Sequence, residues 1–453
     1  MKRVLIFLMI LAAAEGAARA DRAAPSMAPA DWSSDLDTLY AAMKADHPAL
    51  HHHTPAGAMD AYVAGLHREI PHATWPQYVM GLYGLLALAG DGHTTFYPFP
   101  DAGPGFATRL PLLTEVFSDG VYVIGADSRY QEAVGGKLVA INGHPVAQVF
   151  ETASAHWDHE NPAWVLRWFP AILRRPGFLS GMGIASADVA AKVAFTIEKD
   201  GARRDFAVAP VTADADAAAQ KTGWVRARDE AQILHPTTLH GADVPFAFVY
   251  LKARDAVYAV YNQCDDGDRE TVAAFAARLF RFIDDNRVDR LIVDIRHNGG
   301  GDNYKNQPLI LGIIRARAID RPGHLFVLTG RETFSAAQNF ANDAERLTQA
   351  LFVGEPTGSS PNLYGDARQM ELPKTHLHPM VSTLYWQGSD PKDDRVWILP
   401  DVPAPESFAN YLSGRDAALE AALAYEAPAG TVAASPNLHW ERASQKATWP
   451  MPF

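Results

Sequence analysis

Between Asp31 and Gly90 the apolar positions recur every three or four residues, the period of a helix that buries one face. Leu36, Leu39, Tyr40 and Met43 form the first stripe, with Ser34 placed to cap it and Asp35 and Asp37 in its first turn. Met59, Tyr62, Val63 and Leu66 repeat the spacing. Thr74 opens a third helix through Val79, Leu82, Leu85, Leu86 and Leu88, so strongly apolar that burial is expected. The breaker cluster Gly90-Asp91-Gly92 ends it.

From about Pro98 to Asp243 the period shortens to that of strands. Val121-Tyr122-Val123-Ile124 and Leu138-Val139-Ala140-Ile141 are strand-like, and Asn142-Gly143 is a hairpin pair. Val193, Phe195 and Ile197 alternate, and Asp200-Gly201 turns the chain toward a strand at Phe206. The aromatic and Arg-rich stretch from Trp157 to Ser180 shows no period and reads as a cover. From Val244 to about Tyr425 strands and helices alternate. Val272, Phe275, Leu279, Phe282 and Ile283 share a helical face, and the runs Leu291–Ile295, Leu325–Leu328 and Leu351–Val353 are continuous enough for buried parallel strands. A helix from about Ser335 to Leu347 links the last two. The expectation is an α/β domain with a mostly parallel sheet and right-handed crossovers. The predicted organisation is 1–20 signal segment, 21–97 helical region, 98–243 β-rich region, 244–425 α/β core and 426–453 tail.

Composition narrows this only in part. The 453 residues suffice for two or three domains, and 48 % hydrophobic residues argue against disorder. A net charge of −12 disfavours nucleic acid and anionic membrane surfaces as partners. Lys2 and Arg3, an apolar run from Val4 to Ala14 and the small-residue stretch Ala18-Arg19-Ala20 read as a secretory signal cleaved near Ala20. No apolar run reaches the 18 residues of a membrane anchor, so an exported, periplasmic or extracellular chain is expected. The single cysteine, Cys264, excludes an internal disulfide framework and a Cys-built zinc cluster, and reads as a buried thiol.

Sites in open α/β sheets lie beyond the carboxyl ends of strands. Two loops qualify. Arg296-His297-Asn298-Gly299-Gly300-Gly301 is either a flexible turn or a loop of exposed amides for an anion or oxyanion. It is not a phosphate-binding P-loop. In Thr333-Phe334-Ser335-Ala336-Ala337, Ser335 is either a helix N-cap or a nucleophile at the helix start. The G-x-S-x-G elbow is absent. Among 17 histidines, His51-His52-His53 reads as surface rather than metal site, His67 to His72 is not H-E-x-x-H, and His93 sits in a glycine-flanked loop after the buried helix. No spacing calls for a metal, nucleotide or prosthetic group.

Asp91-Gly92-His93-Thr94, Ile292 to Gly301, Thr333 to Ala337 and Val353-Gly354-Glu355-Pro356-Thr357-Gly358 occur in one order. That order resembles the tail-specific, C-terminal-processing serine protease family, and Val396 to Val402 resembles its closing strand motif. The resemblance implies a crotonase-like ββα core and a peptidase acting on polypeptides through an acyl-enzyme. In it Ser335 matches the nucleophile, and Gly300 or Gly301 with Ala336 matches the oxyanion hole. The lysine of one branch is missing: Ser360 falls near its place, and Lys374 comes well after. The sequence is more similar to the tricorn-core branch, whose histidine base matches His93. That branch implies an acidic third member, for which Asp394, or alternatively Asp393, stands in about the right place. Gly135 to Val146 resembles the carboxyl-end strand of a PDZ domain, giving a PDZ-like middle region. The alternative is a non-catalytic protein binding apolar ligands or peptides on the same scaffold.

Overall fold

The α/β alternation after Val244 closes into one six-stranded sheet. The computed structural model describes residues 27–97, 99, 103, 105–228, 244–428, 430–431 and 448–453. The expected signal segment 1–20 and most of the tail lie outside the described residues. The chain divides into two units, the core unit of 230–363 and 386–450 and the N-terminal unit of 15–229, 364–385 and 451–453.

In the core unit the strands lie in chain order: Phe246–Leu251, Ala256–Tyr261, Arg290–Asp294, Leu325–Thr329, Leu351–Gly354 and Val402–Pro403. The first pair is antiparallel and all the others are parallel. Alternation along each central strand fills two cores. Val257, Ala259, Leu291, Val293, Leu325, Val327 and Phe352 pack with Phe275, Leu279, Ile313 and Phe340 of the helices Val272–Asn286, Gln307–Arg315 and Ala336–Leu347. Tyr258, Val260, Ile292, Phe326, Leu328 and Val353 face the other way, against Ala418, Leu419 and Ala422 of helix Ala417–Ala424. Burial on both faces explains why these strands read as unbroken apolar runs. The closing strand is shorter than expected: pairing covers only Val402 and Pro403.

In the N-terminal unit three helices, Pro29–Asp46, Ala56–Glu69 and Trp75–Ala87, share one hydrophobic core with an antiparallel sheet. The regions divided at residue 97 in the sequence are therefore joined by packing: Leu39, Leu82 and Tyr83 belong to the same cluster as Val121, Leu138 and Phe195. The sheet order is Leu112–Phe117, Gly120–Asp127, Lys137–Ile141, Val193–Lys199, Ala202–Val208, with two short additions. Thr74 caps the third helix through a reciprocal pairing with Gln77. The expected cap at Ser34 is wrong. The first helix begins at Pro29, ahead of Ser34, because proline suits its first turn. The unpatterned stretch after Trp157 holds two helices, Pro162–Leu173 and Pro176–Gly181, buried on so many sides that no single periodicity survives.

Candidate active site

The two loops singled out in the sequence leave the carboxyl ends of adjacent parallel strands, Arg290–Asp294 and Leu325–Thr329. Thr333 fixes the second loop against the first: its hydroxyl donates to the Ile295 carbonyl at 2.9 Å and receives the Gly330 N–H at 3.1 Å. The Phe334 N–H donates to the Asn298 carbonyl at 3.1 Å. Ser335 then stands at the helix start with φ 55° and ψ −122°, a left-handed conformation that costs a non-glycine residue about 1–3 kcal/mol. An N-cap residue has extended backbone and a side chain bonded into the first turn. Ser335 has neither, so its hydroxyl does not cap the helix. Its N–H donates to Ser359 Oγ at 3.2 Å.

The glycine loop packs against this turn. A Cβ on Gly300 would lie 2.7 Å from the Ser335 Cβ and 3.0 Å from the Ala336 nitrogen, so only glycine allows the approach. The two glycines differ in what they offer. The Gly300 N–H is already donated to Asn298 Oδ1 at 2.9 Å. Among the described residues the Gly301 and Ala336 N–H groups meet no acceptor. Cys264 lies beneath the loop, exchanging backbone bonds with Gly300 and Asp302 at 3.0 and 2.7 Å. Burial pushes its thiol up to about 12, far from a reactive thiolate.

His93 lies in the N-terminal unit, 9 % exposed, in the loop after the helix Trp75–Ala87. Burial lowers its pKa, opposed by the charges of Asp91 and Asp366 and by a hydrogen bond with the Tyr364 backbone. The ring is thus neutral at neutral pH, the state a general base needs. Asp91 is fully buried, and its carboxylate accepts the His93 and Thr94 N–H groups at 2.8 and 2.7 Å. Burial alone would raise its pKa, but the His47 ring beside it holds the carboxyl below the usual range.

The acidic candidates separate. Asp394 is exposed at the surface of the core unit. Asp393 is buried and accepts from Ser389 Oγ at 2.6 Å and from Arg395 at 2.8 Å, and Arg395 also reaches Glu345 at 2.8 Å. Burial raises the Asp393 pKa and the Arg395 guanidinium more than offsets that, so it stays ionised. Ser360 donates its hydroxyl to the Asn362 carbonyl, and the Lys374 Nζ faces Asp31 at 3.7 Å in the N-terminal unit. Among the described residues no group of three or more His, Cys, Asp or Glu side chains is arranged to hold a metal ion, and no helix is long and apolar enough to cross a membrane.

Sequence reasoning passed over Asp91 as a functional group, although its place two and three residues before His93 and Thr94 is the spacing of a side chain that bonds its own turn. Ser359 and Asn298, which hold the Ser335 turn and the glycine loop, carried no separate local signal.

No protein-family model matches the chain, and no curated protein matches it. Solved structures do share its fold. Mature CPAF superposes with TM-score 0.56 and 13 % identity over 85 % of this chain and 94 % of that one. Mature CPAF complexed with lactacystin gives 0.54 and 13 %, over 85 % and 96 %. The photosystem II D1 C-terminal processing protease matches more loosely, at 0.37 and 14 % over 82 % and 92 %. The mixed α/β fold is the one this chain shares with CPAF.

Proposed function

We propose that the chain is a serine peptidase of the tail-specific type, with a crotonase-like core, Ser335 as nucleophile and His93 as general base. The observation that carries this reading is the strained Ser335 turn: a serine held at positive φ where a strand enters a helix, its hydroxyl not spent on capping. Strain of this kind persists where the surroundings enforce it, and it clusters at active sites.

In this mechanism the His93 ring takes the Ser335 proton as Oγ attacks the scissile carbonyl carbon. The tetrahedral oxyanion is met by the Gly301 and Ala336 N–H groups, with the positive end of helix Ala336–Leu347 behind them. Collapse returns the proton from His93 to the departing amine and leaves an acyl-enzyme, which water, activated by the same ring, hydrolyses. The base contributes about 10²–10⁴ in rate and each oxyanion donor about 10²–10³. Asp393, buried and ionised, suits an acidic third member better than exposed Asp394. Polypeptide is the proposed substrate, and the signal-like first twenty residues assign the protein to an exported compartment within this proposal.

The test is labelling by a fluorophosphonate followed by mass mapping. Modification of Ser335 that is lost in His93→Ala supports the mechanism. A folded protein that takes no label favours the alternative, a binding protein on this scaffold.

A further inference from the structure

The Asp91 carboxylate is gripped from two distant parts of the chain. Besides the His93 and Thr94 N–H groups, Oδ1 accepts the Ser382 hydroxyl at 2.9 Å, from 291 residues away. On the other side Oδ2 faces His47 Nε2 at 2.9 Å. The His47 tautomer follows from its second nitrogen: Nδ1 receives the Ala49 N–H at 3.1 Å, so Nε2 carries the proton and donates it to Asp91. The strand of chain bearing Ser382 is itself tied to the histidine loop. Ser382 N–H donates to Thr94 Oγ1 at 3.1 Å, and Thr95 and Met380 exchange backbone bonds at 3.0 and 2.7 Å.

We propose, on the reading that His93 is the general base, that Asp91 is the positioning residue for its ring, held in place by Ser382 and His47. Two bonds from one carboxylate oxygen to the His93 and Thr94 amides set the turn on which the ring is mounted. The same charge stabilises the imidazolium formed when His93 takes a proton. The groups facing His93 are Asp91, Asp366 and the Tyr364 backbone. Those around Asp91 are His47, His52, Tyr364, Asp158 and Glu160. Burial pushes Asp158 up to about 8 and Glu160 well above its ordinary value, whereas the partners of Asp91 hold its carboxyl below the usual range.

The Asp91 charge moves the titration of His93 by proximity alone, so positioning is read from the labelling rate of Ser382→Ala, which leaves that charge in place. Wild type, Asp91→Asn and Ser382→Ala are compared by NMR titration of the His93 ring and by the pH dependence of the fluorophosphonate labelling rate at Ser335. In Asp91→Asn the His93 titration moves to lower pH and labelling slows about 10–100-fold, part of the base's full contribution. The carboxamide also sets His47 a conflict, since its Nε2 would have to accept while Ala49 still needs Nδ1 as acceptor. Ser382→Ala removes one hydroxyl and slows labelling about fivefold, the worth of one net hydrogen bond. It also keeps the test open should Asp91→Asn fail to fold. Wild-type titration and labelling in both variants overturns the proposal. A wild type that takes no label contradicts the peptidase reading, whereas a labelled wild type with Ser382→Ala labelled just as fast overturns the positioning role alone.

Discussion

At Ser335 the backbone conformation removes one of the two roles that a sequence leaves open, that of helix cap. A serine between a strand and a helix is compatible with capping and with nucleophilic attack, and here positive φ and the missing cap bond exclude the first. Gly300 is its counterpart, with φ 107° and no room for a Cβ. Gly300→Ala is therefore expected to strain the turn by about 1–3 kcal/mol and to lower fluorophosphonate labelling by about 10²-fold. Near-wild-type labelling of that variant would show that the loop does not support the nucleophile. Cys264 gives an independent check of burial. With its thiol raised to about 12, it should resist iodoacetamide in the native protein at pH 8 and react once the chain is unfolded. Its reading as an inert buried thiol was legible because a lone cysteine has few other uses. Its backbone service to the glycine loop was not, because those bonds leave no mark on residue identity.

Elements were legible where local chemistry decides them. Asn142-Gly143 and Asp200-Gly201 have both residues at positive φ, as a two-residue hairpin turn demands, and both were read from the dipeptide alone. The parallel strands of the core followed from continuous apolar runs. Where several faces are buried, as in Pro162–Leu173, periodicity vanishes and so did the signal. The serine helix carries a second feature that spacing could not reveal. Near its carboxyl end Glu345 meets Arg395, which also grips Asp393, all three nearly buried. Arg395→Met would strand two carboxylates away from water and should cost about 3–5 kcal/mol in a urea melt. A loss below about 1 kcal/mol would mean the triad is solvated and does not fasten this helix.

At the scale of the whole molecule, fold outlasts sequence: 13 % identity to CPAF accompanies a TM-score of 0.56. The short motifs were readable because each runs between a regular element and a loop, as Ile292 to Gly301 runs from the strand Arg290–Asp294 into the glycine loop. The membership of residues 364–385 in the N-terminal unit was not, since it depends on contacts such as Thr375 to Asp35 and Ser382 to Asp91 across hundreds of positions. That unit also encloses a destabilising carboxyl. Asp158 titrates at about 8 in the fold against about 3.9 in an unfolded chain, so its protonated form fits the buried site. Its contribution is complete below about pH 4 and is lost as pH rises toward 8. Asp158→Asn should accordingly gain on the order of 1–3 kcal/mol over wild type at pH 8, with the gap closing near pH 4. An equal gap at both pH values would place the carboxyl in water.

Chemical trapping tests the proposed pairing of Ser335 as nucleophile with His93 as base most directly. Fluorophosphonate labelling of wild type, Ser335→Ala and His93→Ala, mapped by mass spectrometry across pH 5–8, should modify Ser335 stoichiometrically in wild type alone. The rate should rise with pH through an inflection below the ordinary imidazole value of about 6.5, because burial lowers His93. A folded wild type that stays unlabelled, or a His93→Ala variant labelled as fast as wild type, would contradict it.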